Sequence, residues 1–294
     1  MRLFDFFRKK TAETPIGGTA PVTGNTVNDN LVSDSSILVE SGRHGSQGDH
    51  FSALLGFERF SGPAVQQKVK IMMALAVVQQ PIMRNNEIAI ANVSFEGLEK
   101  VNDAPMIRSI LLDKKTVSGY PYLPGGSVIT FETKKIIEWE YLDGIEADIE
   151  GGGQDTFGIG FFATDYAVKK DFYKIHRKLN IRLSAFAYTI QNFKPDPADE
   201  RSLSNDFAGF FPYKDLNSFS YFDFVGTVLS FKQIQIEPDN TAFIIRTKLI
   251  NDDTNPDLLV ISIFVNEANM QLSNALSIGM SITGLLWFQG EIAG

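Results

Sequence analysis

Tyr221-Phe222-Asp223-Phe224-Val225-Gly226-Thr227-Val228-Leu229-Ser230-Phe231-Lys232-Gln233-Ile234-Gln235-Ile236 decides the fold class. Aromatic and β-branched side chains crowd this stretch, and such residues suit a pleated, half-buried surface. It reads as one long strand with a single internal glycine, Gly226. Glu237-Pro238-Asp239-Asn240 follows as a turn. Residues 241–250 read as a second strand, 251–256 as another turn and 258–265 as a third strand. Residues 266–277 form a bridge with room for a short helix. Residues 281–292 close the chain as a strand with Trp287 near its centre.

This order of elements resembles the oligonucleotide/oligosaccharide-binding (OB) fold, a small Greek-key barrel. The resemblance implies that Gly226 lets the first strand bend and serve both sheets. It covers about the last quarter of the chain. The closing segment is similar to the C-terminal end of uncharacterised bacterial proteins, in the pattern Gly279-x-x-Ile282-x-Gly284-x-x-Trp287-x-Gln289-Gly290.

Upstream, a helix is expected from Pro63 to Gln79. Ser61 can cap it, Pro63 fits its first turn, and Val65, Val69, Met72 and Ala76 follow helical spacing. Residues 71–78 are apolar on nearly all sides, as in a deeply buried helix or a buried strand. Ile88, Ile90 and Phe95 belong to a strand. Pro121, Pro124, Gly125 and Gly126 mark a loop. Residues 128–131 and 136–142 look like consecutive strands. In the second, Ile137, Trp139 and Tyr141 alternate with Glu138 and Glu140, one dry face and one wet. Gly151-Gly152-Gly153 reads as a turn before the strand at 157–161. Leu179, Ile181 and Leu183 alternate again, and Asp165 to His176 is a charged connection with space for a helical turn. Pro195 to Asn205 reads as a loop or domain boundary.

Residues 11 to about 50 are poor in large apolar groups and read as a flexible tail. Only Ile37-Leu38-Val39 suits a strand there. The first ten residues suit a short amphipathic turn. The expected whole is a β-rich α+β protein. It has a tail (1–50), a mixed central domain (51–200) and a small antiparallel, OB-like barrel domain (218–294).

The 294 residues carry 24 phenylalanines and a formal net charge of −8. An acidic balance supports solubility and opposes phosphate, which argues against nucleic acid. The chain has no cysteine, so thiolate metal sites, disulfides and cysteine nucleophiles are excluded. The N-terminus lacks a signal-peptide run and no stretch is long enough to span a bilayer, so a bacterial cytoplasmic location is expected.

Candidate chemistry is sparse. The acidic run Glu138, Glu140, Asp143, Glu146, Asp148, Glu150 and Asp155 is the densest concentration of charge. Paired carboxylates there suit acid–base work or a hard cation, but residues two apart on a strand share a face, so a wet strand face explains it better. If the chain is an enzyme, a carboxylate- or metal-dependent hydrolase fits best, with Asp143, Asp148, Asp155 and Asp165 as catalytic candidates. His44, Asp49 and His50 offer nitrogen and oxygen ligands, yet their spacing fits no metal motif; a solvated segment is the simpler reading. His176 reads as a surface histidine. Gly151 to Gly160 lacks a phosphate-loop lysine. For an OB-like barrel that binds an oligonucleotide or sugar, Tyr221, Phe231 and Trp287 are the candidate stacking rings. The leading expectation is a non-enzymatic interaction module with a protein partner, no cofactor and no metal.

Overall fold

A computed structural model describes residues 36–42, 47–140, 144–153, 157–195, 204, 207–213, 219–252, 255 and 258–294. In chain order the strands are β1 (Leu38–Gly42), β2 (Met83–Asn85), β3 (Ile88–Ser94), β4 (Met106–Leu112), β5 (Lys115–Tyr122), β6 (Ser127–Trp139), β7 (Ala147–Gly153), β8 (Phe157–Ala163), β9 (Lys178–Asn192), β10 (Gly209–Pro212), β11 (Tyr221–Glu237), β12 (Asn240–Lys248), β13 (Val260–Asn266), β14 (Met270–Gln271) and β15 (Ser281–Ile292). The helices are α1 (His50–Leu55), α2 (Phe57–Phe60), α3 (Pro63–Leu75) and α4 (Tyr166–Ile175). Residues 37–294 make one compact unit.

Two closed rings of strands organise that unit. Strands β6, β7 and β8 pair in an antiparallel meander. β8 then pairs parallel to the end of β15, β15 pairs antiparallel to β9, and β9 returns to β6. The second ring repeats the plan. β11, β12 and β13 form a meander, β13 pairs parallel to β9, and β15 returns to β11. The rings share β9 and β15. Each of these long strands divides its outer edge: β9 gives Lys178–Leu183 to β6 and Ser184–Phe186 to β13, and β15 gives 281–287 to β11 and 289–290 to β8. Strand pairing thus runs across the boundary expected near residue 200, because the strands after Ser218 close their ring through β9.

Close packing at the shared pair needs a glycine. A Cβ on Gly284 would overlap the Thr189 carbonyl oxygen of β9. Gly226 lies where β11 passes from β15 to β12.

Side-chain alternation sorts the apolar residues into two cores. Inside the rings lie Phe131, Phe161, Leu183, Phe224, Ile245, Ile263 and Phe288. Outside them, Trp139, Phe162, Phe186, Tyr188, Tyr221 and Trp287 face α1, α3 and a separate antiparallel sheet of order β2-β3-β4-β5.

Several expectations are corrected. Residues 127–139 are one continuous strand, not two. Gly151, Gly152 and Gly153 belong to β7 rather than a turn, since Phe131 and Phe157 fill the space their side chains would need. Residues 71–78 are helical but not deeply buried: Ile71, Leu75 and Val78 are exposed, while Met72 and Ala76 are buried and Met73 packs partly buried against Gly119 of β5. The charged connection after Asp165 is helix α4, kinked at Lys169 where the backbone leaves helical geometry. Strand β1 pairs parallel to β6, as Leu38 and Val39 allow. The N-terminal turn, residues 11–35 of the tail and most of the 195–205 loop lie outside the described residues. No helix among the described residues is long and apolar enough to cross a membrane.

Candidate functional site

Helix α1 is short, yet all its residues are buried. Three asparagines fasten it to the second ring. Asn266 donates to the Leu54 carbonyl (3.0 Å), Asn269 to the Ser52 carbonyl (3.1 Å) and Asn240 to the Leu55 carbonyl (3.5 Å). Gly56 then turns the chain into α2 at φ +88°, with the Asn266 side chain where a Cβ would point.

This anchoring places α1 and α2 over Tyr188 of β9, Tyr221 at the start of β11 and Leu285 of β15. A cleft of about 400 Å³ opens there, lined by Asp49, Ser52, Phe57, Phe60, Ser61, Gln66, Tyr188, Tyr221 and Leu285. That volume lies in the range of small-molecule sites. Phe57 is half exposed, and its ring lies 6.1 Å from that of Tyr188.

A polar cluster lies beneath. The Tyr188 hydroxyl is 2.6 Å from Nδ1 of His50, and the Tyr221 hydroxyl is 3.3 Å from both. His50 is buried and stacks on Trp287, with centroids 3.5 Å apart and planes 8° from parallel. Trp287 continues to Phe162 and Phe186, and Phe162 to Trp139. Burial pushes the Tyr188 phenol well up, with Tyr221 and the Asp49 charge adding to it. Burial also raises Tyr221, helped by the charges of Asp148 and Asp49. Both phenols therefore keep their protons at neutral pH, their hydroxyls engaged with each other and with His50, and neither is a base.

The candidate rings divide. Tyr221 and Trp287 are direct register partners on β11 and β15, and only Tyr221 reaches the cleft; Trp287 is fully buried. Phe231 lies farther along β11, partly exposed beside Phe243, and does not line the cleft.

The candidate carboxylates do not line it either. Asp143, Asp155 and His44 lie outside the described residues. Asp148 and Glu146 are buried, so the wet-face reading fails for them; Glu146 accepts from Ser118 and Gln47. Glu138 is held below the usual carboxylate range: burial opposes its charge, but Lys174, Tyr166 and Lys170 outweigh that. His50, expected in a solvated segment, is a core residue. His176 is exposed, beside Phe172. No group of three or more metal-ligating side chains gathers among the described residues.

Asp165 belongs to a second polar cluster. Its oxygens accept from the Tyr173 hydroxyl (2.7 Å) and the Ile292 amide (3.0 Å). Next to it, Arg108 of β4 donates to Asn92 (3.0 Å) and Thr164 (3.0 Å) and pairs with Glu291 (2.8 Å). The guanidinium carbon sits 3.3 Å from the centroid of the Tyr122 ring. Tyr122 and Arg182 also donate to Glu291. The neighbouring space around Glu291 has a volume near 0 Å³, so the cluster is a clamp between the small sheet and the rings rather than a binding site.

Burial pushes the Asp165 carboxyl from 3.8 to about 6, although Tyr173 and Ile292 favour its charge. The folded chain thus holds this proton more tightly than the unfolded chain. The resulting stabilisation is complete below pH 3.8 and is lost as the pH rises through about 6. Asp165→Asn, which carries no titrating proton, should gain about 2–3 kcal/mol on the parent between about pH 4 and about pH 7. Urea unfolding of both chains across that range measures it; a constant difference would contradict the assignment.

Sequence reasoning missed His50, Tyr188, Phe57, Phe60 and Asp49 as one group. The available signal was the apolar set Phe51, Leu54, Leu55, Phe57 and Phe60 directly after His50.

No family model, curated protein or solved structure matches the chain.

Proposed function

We propose that the protein is a non-enzymatic binding module whose α1–α2 cleft receives part of a partner protein. The observation that carries this is the cleft itself, where four aromatic rings, protonated phenols and one carboxylate converge on about 400 Å³. Catalysis finds little support there, since the phenols are poor bases and Asp148 and Asp165 do not line the cavity. Nucleic acid is disfavoured by Asp49 and by the net charge of −8. The architecture favours binding too. Each ring, with its three-stranded meander and one parallel closure, reads as an OB-like barrel, a scaffold that presents ligands on strands and loops.

The test fills the cleft. Nile red, a neutral dye that brightens in apolar sites, should bind the parent saturably. Leu285→Trp, and Ser61→Tyr at the rim, should each weaken binding about tenfold by occupying the volume. Circular dichroism melts confirm that the variants fold. Equal dye affinity in the parent and both folded variants would refute the assignment.

A further inference from the structure

We propose that the cleft is selective for an organic cation, the alkylammonium head of a lysine side chain on the partner protein. This deepens the binding reading above and rests on it. The lining is chemically one-sided. Phe57, Phe60, Tyr188 and Tyr221 supply aromatic surface, whose faces carry the negative lobe of the ring quadrupole. A cation held against such faces is attracted electrostatically, most strongly where water is partly excluded.

The charges agree with the rings. Among the described residues Asp49 is the one charged side chain in the lining, and it is an acid. The remaining polar side chains, Ser52, Ser61 and Gln66, are neutral. Two bases on the covering helices are drawn elsewhere: Arg59 donates to the Asp239 carbonyl and pairs with Glu237, and Lys68 pairs with Glu237 as well. The field of Asp49 reaches the floor of the cleft, since it adds to the burial that holds both phenols protonated. A group with positive charge meets that field favourably, an anion meets it unfavourably, and a neutral group gains nothing from it. The net charge of −8 would also steer cations toward the molecule.

Size fits as well. A quaternary ammonium head with its attached chain is far smaller than a drug-sized ligand, so 400 Å³ admits it with room for the stem. The rings hold the head, and the neutral side chains of Ser52, Ser61 and Gln66 line the space for the stem.

Isothermal titration of the full chain at constant ionic strength tests this, with tetramethylammonium chloride against neopentyl alcohol, a neutral probe of similar shape. The cation should bind about tenfold more tightly. Asp49→Asn should cut cation affinity about fivefold and change alcohol affinity by much less. A peptide bearing trimethyllysine should bind much more tightly than the isolated N-acetyl amide of that residue; equal affinities would overturn the partner-protein source in favour of a free small molecule. If the alcohol binds as well as the cation, or Asp49→Asn leaves cation binding intact, the charge selectivity is wrong although the cleft stands. If Nile red and both titrated probes all fail to saturate the parent, the binding reading falls with it.

Discussion

Arg108→Ala should cost about 3–5 kcal/mol of unfolding free energy, the usual consequence of removing one member of a buried charge pair. Arg108 is only 2% exposed. Burial opposes its charge, yet Tyr122 and Glu291 hold its pKa above the ordinary value. Glu291 is lowered in return: burial works against its charge, and Arg108 more than offsets this. Truncation leaves Asn92 and the Thr164 hydroxyl without their guanidinium donor and opens a space over the Tyr122 ring. Glu291 would retain Arg182 and Tyr122, which sets an upper limit on the damage. Arg108→Met fills more of the volume and should cost less. Urea denaturation followed by circular dichroism reads both. A loss below about 1 kcal/mol for the alanine variant would show that the clamp contributes little.

Trp287→Ala should be of similar size, about 3–5 kcal/mol, through lost burial and a residual cavity. Trp287 is fully buried, with His50 stacked on one side and Phe162 and Phe186 beside it. Its removal also frees the histidine that positions the two phenols, so dye binding in the cleft should weaken in whatever fraction stays folded. Trp287→Phe keeps most of the ring and should lose less on both readouts. The calorimetric midpoint and the dye titration, taken together, separate this from a purely local effect. An alanine variant with an unchanged midpoint would place the indole outside the core.

Much of the fold after residue 218 is legible in the chain. The strand read at 221–236 is β11, and that at 281–292 is β15. These segments are rich in strand formers and bounded by turn residues. Their assembly is less legible, because the closing partner of the second ring is β9, many residues upstream and joined by a parallel pair. Local patterning carries no record of such pairing. Of the small sheet, β3 is legible at Ile88 and Ile90, but β4 and β5 hide for another reason. β4 is buried on nearly every residue, so it lacks alternation, and β5 contains Pro121. The cleft escaped notice because Gly-Arg-His-Gly-Ser-Gln-Gly-Asp makes residues 42–49 read as polar tail, while the partners that bury His50 come from β9, β11 and β15. Arg108 had a visible sign, a lone cation inside Met-Ile-Arg-Ser-Ile-Leu-Leu.

The shared pair β9 and β15 has a consequence for how this molecule comes apart. Neither ring owns a complete set of strands, since each borrows two from the same antiparallel pair. Peeling either ring open breaks the wall of the other. The rings are therefore joined in one cooperative folding unit, and no cut between residues 193 and 220 yields a half that retains both walls. Neither ring can close before β15 pairs, because that strand completes both at once.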